Sequence, residues 1–167
     1  MRLFNLSTKL TISLVLIVSL LSGCGFKLRG EYLLDPKLQT LYVSSSDKHG
    51  ELTRLFKKYL KINNVNVLSR YQSDKPEIRI LQDNLDRRTL SVFPNGQVAE
   101  YELIYTVRYQ LRIAEKDPVN YSFELNRDYQ DDPNVALAKS RELSLMLSEM
   151  RRSAVDRILR DMASIQL

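Results

Sequence analysis

Glu77 to Phe93 (EIRILQDNLDRRTLSVF), Pro94-Asn95-Gly96, and Gln97 to Ala114 (QVAEYELIYTVRYQLRIA) form the stretch on which the fold turns. In its second half Tyr101, Leu103, Tyr105, Val107, Tyr109, Leu111 and Ile113 alternate with Glu100, Glu102, Arg108, Gln110 and Arg112. A period of two with one apolar face reads as a strand of an antiparallel sheet that is covered on one side and wet on the other. Asn-Gly between two such runs marks a hairpin. The outgoing strand changes phase. Ile78 and Ile80 share parity with Leu90 and Val92, while Leu81 and Leu85 do not. A bulge or an uncovered polar stretch is expected near 82 to 88.

Working outward, Lys116-Asp117-Pro118 makes the next turn, and Val119, Tyr121, Phe123 and Leu125 alternate as a last strand. Asp132-Pro133 then opens a helix, with an acid suited to the N-cap and Pro at the first helical position. Leu143, Leu147, Met150, Ala154, Ile158, Met162 and Ile165 recur at spacings of four and three. A helix of about 30 residues is roughly 45 Å long, close to the ~50 Å of a 16-residue strand, so helix and hairpin can cover each other. Upstream, Leu38 to Ser45 reads as a strand. Asp47 to Lys61 reads as an amphipathic helix that buries Leu52, Leu55, Phe56, Tyr59 and Leu60 and carries Arg54, Lys57, Lys58 and Lys61 opposite or flanking. Val65, Val67 and Leu68 give a short extended piece after it. The predicted order is β-α-β-β-β-α, an α+β two-layer sandwich with two helices on one face of a four-stranded, mostly antiparallel sheet.

The first 23 residues carry only Arg2 and Lys9 as charges, and Leu10 to Leu21 (LTISLVLIVSLL) is an apolar run about 18 Å long as a helix, short of the ~30 Å bilayer core. Basic residues ahead of a short apolar run read as an export signal. Leu21-Ser22-Gly23-Cys24 resembles the lipobox of bacterial lipoproteins, which implies cleavage before Cys24, a diacylglycerol on its sulfur and an acylated new amino terminus. Gly25, where Asp would resemble an inner-membrane retention signal, points to the outer membrane. The expected organisation is a signal peptide over 1–23, a lipidated tether over 24–36 and one domain over 37–167. Without Arg2 and Lys9 the formal charge falls from +5 to +3, so the basic balance of the whole chain does not point to nucleic acid.

Composition excludes much enzyme chemistry. One Cys and one His among 167 residues leave no disulfide framework, no cysteine zinc cluster and no histidine-rich metal site. His49 stands beside Gly50 at a strand-to-helix turn and fits a structural or solvent role. Asp83, Asp86, Asp131 and Asp132 sit in charged turn or loop contexts that suit capping and solubility, and the phosphate-cradling glycine motifs are missing. No enzyme activity and no cofactor are expected. The basic pairs Arg87-Arg88 and Arg151-Arg152, with Lys116, Lys139 and Arg141, fit lipid phosphates, which Arg grips through a bidentate fork.

Three segments then converge. Cys24 to Arg29 (CGFKLR), Ser91 to Tyr101 (SVFPNGQVAEY) and Asp132 to Lys139 (DPNVALAK) resemble, in order and spacing, the LPS-assembly lipoproteins of the LptE (rare lipoprotein B) family. The resemblance implies an outer-membrane lipoprotein in a one-to-one complex with the β-barrel LptD. It would plug that barrel, assist its assembly and bind lipopolysaccharide for insertion at the cell surface. By the same resemblance Cys24 is the lipid anchor and Lys139 the leading LPS contact. Where the family often has a basic residue at the hairpin tip, this chain has Pro94, and Arg87 and Arg88 on the same hairpin are its stand-ins. The alternative is a free-standing lipopolysaccharide carrier without a permanent barrel partner.

Overall fold

The computed structural model describes residues 32–47 and 49–165. The expectations placed on 1–23, on Cys24 and on the tether as far as residue 31 lie outside the described residues. From Tyr32 onward the chain is packed: the Tyr32 amide donates to Asn63 Oδ1 at 3.1 Å, and Leu34 and Leu38 are buried in the core.

Five strands and two α-helices follow: β1 (Thr40–Ser45), α1 (Glu51–Ile62), β2 (Asn66–Leu68), β3 (Glu77–Val92), β4 (Val98–Arg112), β5 (Val119–Gln130) and α2 (Ala136–Ala163). The architecture is α+β as expected, with one more strand than the sequence showed. The sheet has five strands in the order β2-β1-β3-β4-β5, not four. The addition is β2, which pairs in parallel with β1 from Thr40↔Asn66 to Tyr42↔Leu68. Three residues are too few to show a period, and it is the partner 26 positions away that makes them a strand. β1 also runs parallel to the start of β3, whereas the long β3–β4 and β4–β5 ladders are antiparallel.

The hairpin closes on a three-residue loop. Gly96 N–H donates to Phe93 O at 2.9 Å, and Phe93 N–H to Gln97 O at 2.7 Å. Pro94 supplies the fixed φ of the first turn position, and Gly96, at φ +84°, takes the left-handed conformation that closes the loop. The phase change of β3 is a bulge: Ile80 pairs with Tyr109 and Gln82 with Arg108, so Leu81 is the extra residue. Before it the even positions Ile78 and Ile80 are buried; after it the odd positions Asp83, Leu85 and Arg87 lie opposite the inward Val107, Tyr105 and Leu103. A second shift falls between Thr89 and Ser91. The segment between the shifts is also largely uncovered.

The helices begin later than the apolar spacing suggested. Asp47 to Gly50 is a turn, with Asp47 Oδ1 accepting from the His49 amide and Asp47 O from the Gly50 amide, so α1 opens at Glu51. Asp132 does cap, but it caps a 3-10 turn, Pro133–Val135, that leads into α2.

The core is concentrated at one end. Leu41, Val43, Ile78, Ile80, Val107, Tyr109 and Leu111 meet Leu52, Phe56 and Leu60 of α1 and Met150 to Met162 of α2. This root end holds the starts of β1 and β3, the end of β4 and the C-termini of both helices. At the other end stand the hairpin turn and the start of α2. There α1, 12 residues and ~18 Å long, no longer reaches. No residue of α2 before Met150 is fully buried.

Candidate functional site

Lys139 lies in the first turn of α2, directly after the turn that returns the chain from β5. Tyr129, near the end of β5, is buried and donates its hydroxyl to the Lys139 carbonyl oxygen at 2.9 Å. That bond fixes the start of the helix on the sheet and sets the lysine above the tyrosine ring, Nζ 5.4 Å from its centroid. Nζ also donates to Glu142 Oε2 at 2.9 Å, three residues on along the helix. This bond, more than any other neighbour, holds the Lys139 pKa above the ordinary lysine value. Lys139 is therefore a positioned cation already neutralised by an acid, and an anionic ligand has to compete with Glu142 for it.

Arg87 joins the same site from β3. The bulge at Leu81 has placed it on the helix-covered face, with its guanidinium 5.9 Å from the Tyr101 ring. Tyr101 is the direct cross-strand partner of Tyr129. Arg87 and Lys139 thus flank a pair of adjacent tyrosines. Burial, and then the negative charge of Asp131, raise the Tyr129 pKa, while Lys139 and Arg87 pull it back. The exposed Leu137 precedes Lys139, and Leu90, Val92 and Phe93 are exposed beside the hairpin turn. Cations set over aromatic faces beside apolar side chains suit a ligand that is anionic at one end and apolar at the other.

Arg88 belongs elsewhere. Neighbours on a strand point to opposite faces, and Arg88 projects from the uncovered face, where it is paired with Glu102. That face is otherwise a lattice of polar cross-strand pairs, including Gln110 with Asn120 and Asn126 with Glu102. Arg151 pairs with Glu51 of α1 and sits beside the Tyr105 hydroxyl, which donates to Asp83 at 2.7 Å. It is a bridge between the helices and the sheet. Lys116 lines an open cavity of about 450 Å³ at the root end with Lys37, Asp74, Lys75 and Glu115. His49 is exposed in its turn. No group of three metal-ligating side chains exists among the described residues.

Tyr129, Tyr101 and Glu142 were not singled out from the sequence. Tyr129 continues the odd parity of Tyr121, Phe123 and Leu125, so carrying that alternation four residues further reveals it. Glu142 was detectable as an i+3 acid on the same helix face as Lys139.

The family model described as "LptE: Lipopolysaccharide-assembly" matches residues 38–162, well over half of the chain. The LPS-assembly lipoprotein LptE of Pectobacterium atrosepticum is 35% identical over 156 residues, which span 93% of this chain and 85% of that protein. The protein of the same name from Yersinia enterocolitica is 36% identical over 152 residues, 90% of this chain and 73% of its own length. Among solved structures, the rare lipoprotein B of Shewanella oneidensis is similar with a TM-score of 0.69 and 48% identity, covering 75% of this chain and 94% of that one. A lipoprotein B of Nitrosomonas europaea has a TM-score of 0.67 at 25% identity, covering 84% and 91%.

Proposed function

The chain belongs to the LptE family of lipopolysaccharide-assembly lipoproteins, and from that premise we propose that it works at the outer membrane as the non-catalytic partner of the β-barrel LptD. In this reading the signal 1–23 is removed, Cys24 carries the lipids, the tether joins it to the domain that is packed from Tyr32 onward, and the domain lies within the barrel and faces the periplasm. The observation that carries the reading is the division of labour along the domain. One end is a packed root, while the other presents Lys139 and Arg87 over Tyr129 and Tyr101 beside exposed apolar side chains. That far end is where an amphiphile with phosphates and acyl chains, lipopolysaccharide, would be received. The uncovered sheet face, polar and laced with cross-strand hydrogen bonds, suits contact with the hydrated wall of a barrel. Arg88, already paired on that face, serves the wall better than the lipid.

Co-purification tests the reading. The tagged full chain, extracted from outer membranes in mild detergent, is expected to come out with a large β-barrel in one-to-one ratio. Emergence of the chain alone, with lipopolysaccharide bound, would favour the free carrier instead. Cys24→Ala is expected to abolish incorporation of radioactive fatty acid; retained label would remove Cys24 as the anchor.

A further inference from the structure

Helix α1 has two faces of opposite character. Leu52, Phe56 and Leu60 are buried in the core, and at ~100° per residue Arg54, Lys58 and Lys61 fall on the exposed side away from it, with the half-buried Lys57 at the edge of that side. They stand at i, i+3, i+4 and i+7, so they form one continuous stripe. Glu51 is the only acid on the helix, and it is taken by Arg151. Among the described residues none of the four cations has an ion-pair partner, unlike Arg88, Arg112, Arg151 and Arg157, which do. The aliphatic stems of the four, with Ile62, line a shallow depression of their own.

A second observation lies at the end of this stripe. The tether enters the domain there: Tyr32 donates to Asn63, the residue that ends α1, and Leu33 lies in the cleft formed with Asn63 and Asn64. Leu33 and Ile62 are 88% and 59% exposed, the two most solvent-facing aliphatics at the root end. Eight residues separate Tyr32 from Cys24, a reach of at most ~29 Å when extended. Unpaired lysines, exposed aliphatics and the exit toward a lipid anchor are gathered in one place, which is the composition of a surface that meets an anionic bilayer.

We propose that, before the barrel encloses the domain, the C-terminal half of α1 docks on the anionic leaflet in which the chain is anchored, with Lys57, Lys58 and Lys61 on lipid headgroups and Leu33 and Ile62 entering the headgroup layer. Arg54 extends the stripe. The inference rests on the anchor at Cys24 and goes beyond it by giving the anchored domain an orientation. The hairpin turn, at the opposite end of the domain, is held away from the leaflet.

The test uses the full lipidated chain reconstituted in vesicles. Because Cys24 is the only cysteine in the sequence and its sulfur is consumed by the lipid, Ile62→Cys or Asn95→Cys gives one thiol for a polarity-sensitive fluorophore. In vesicles containing phosphatidylglycerol the label at 62 is expected to move to an apolar environment, and the label at 95 to remain in water. In phosphatidylcholine alone both remain in water. The response at 62 is expected to vanish in ~1 M salt, where the screening length falls to about 3 Å. It should also vanish in K57E/K58E/K61E, since each basic residue contributes about fivefold to partitioning onto an anionic surface. A label at 62 that stays in water on anionic vesicles, that responds equally in the triple variant, or that responds only when a barrel protein is added overturns the proposal, as does a label at 95 that moves with it. Failure of the unlabelled chain to float with neutral vesicles overturns the anchor reading instead, and the anionic vesicles still decide the helix.

Discussion

The lysine at the start of α2 is a single side chain whose place is set by two neighbours. Lys139 is held by Glu142 and laid over Tyr129, so its charge is offset and its position set before any ligand arrives. Two substitutions separate these effects. Lys139→Asp is expected to weaken lipopolysaccharide binding by the full chain about tenfold or more, since a charge-assisted contact is replaced by repulsion. Glu142→Gln is expected to strengthen it by a few-fold, because the exposed ion pair no longer competes. Unchanged affinity in both would remove Lys139 from the site. Tyr105 and Tyr109 make a pH prediction of a different kind. Burial, reinforced by Asp83 and Asp161 respectively, raises both pKa values. The unfolded chain releases these protons near pH 10 while the native one keeps them. Their contribution is therefore complete below pH 10 and is lost as pH climbs above it. The urea midpoint should fall steeply there, and less steeply in Tyr105→Phe/Tyr109→Phe. At this scale the resemblance pointed to Lys139 and the basic pair to Arg87, while the surroundings of both were not legible in the sequence. Tyr129 and Lys139 are ten positions apart across a turn whose path no local period describes. Arg87 and Arg88 looked like a pair only until the period of two was applied to them.

Among the elements, the hairpin was readable almost to the residue. Alternation from Tyr101 to Leu111 gave β4, Asn-Gly gave the turn, and the parity break in β3 gave the bulge, because each signal is local. The bulge decides which side of the sheet the middle of β3 serves. Deleting Leu81 is expected to close the bulge and leave every later pair in register, because Ile80 and Gln82 then stand consecutively opposite Tyr109 and Arg108, so Arg87 stays on the helix-covered face. Amide hydrogen-exchange protection from 82 to 92 that keeps the parent's alternation would register it; an inverted pattern there would contradict the assignment of Leu81 as the extra residue. At the turn, Gly96→Ala should cost about 1–2 kcal/mol in urea unfolding, because φ +84° is open to glycine and expensive for alanine. β2 is the opposite case. Val65, Val67 and Leu68 read as a short extended piece, but its place in the sheet comes from pairing with β1, and a pairing between segments so far apart is not written in the order of residues.

For the molecule as a whole, stability runs from one end to the other. The root holds two helices over the five-stranded sheet; beyond the reach of α1 only α2 lies on the sheet, and it buries nothing fully before Met150. Phe56→Ala is expected to cost ~3–5 kcal/mol and Leu145→Ala under ~0.5 kcal/mol. Equal effects would contradict the gradient. Exchange protection should fall along β4 from the inward Leu111 toward Tyr101. The two-layer plan followed from matching the lengths of helix and hairpin, but the thinning did not, since it depends on where α1 stops. One mechanical result follows from that thinning. A beam clamped at one end deflects under a tip load by an amount that grows with the cube of its free length, and here the clamp is the root with its two helices while the free span is the part of β3, β4 and β5 beyond the reach of α1. Force at Asn95 bends the hairpin without prising open the clamp, so the tip can yield to whatever it grips while the end beside the tether stays still.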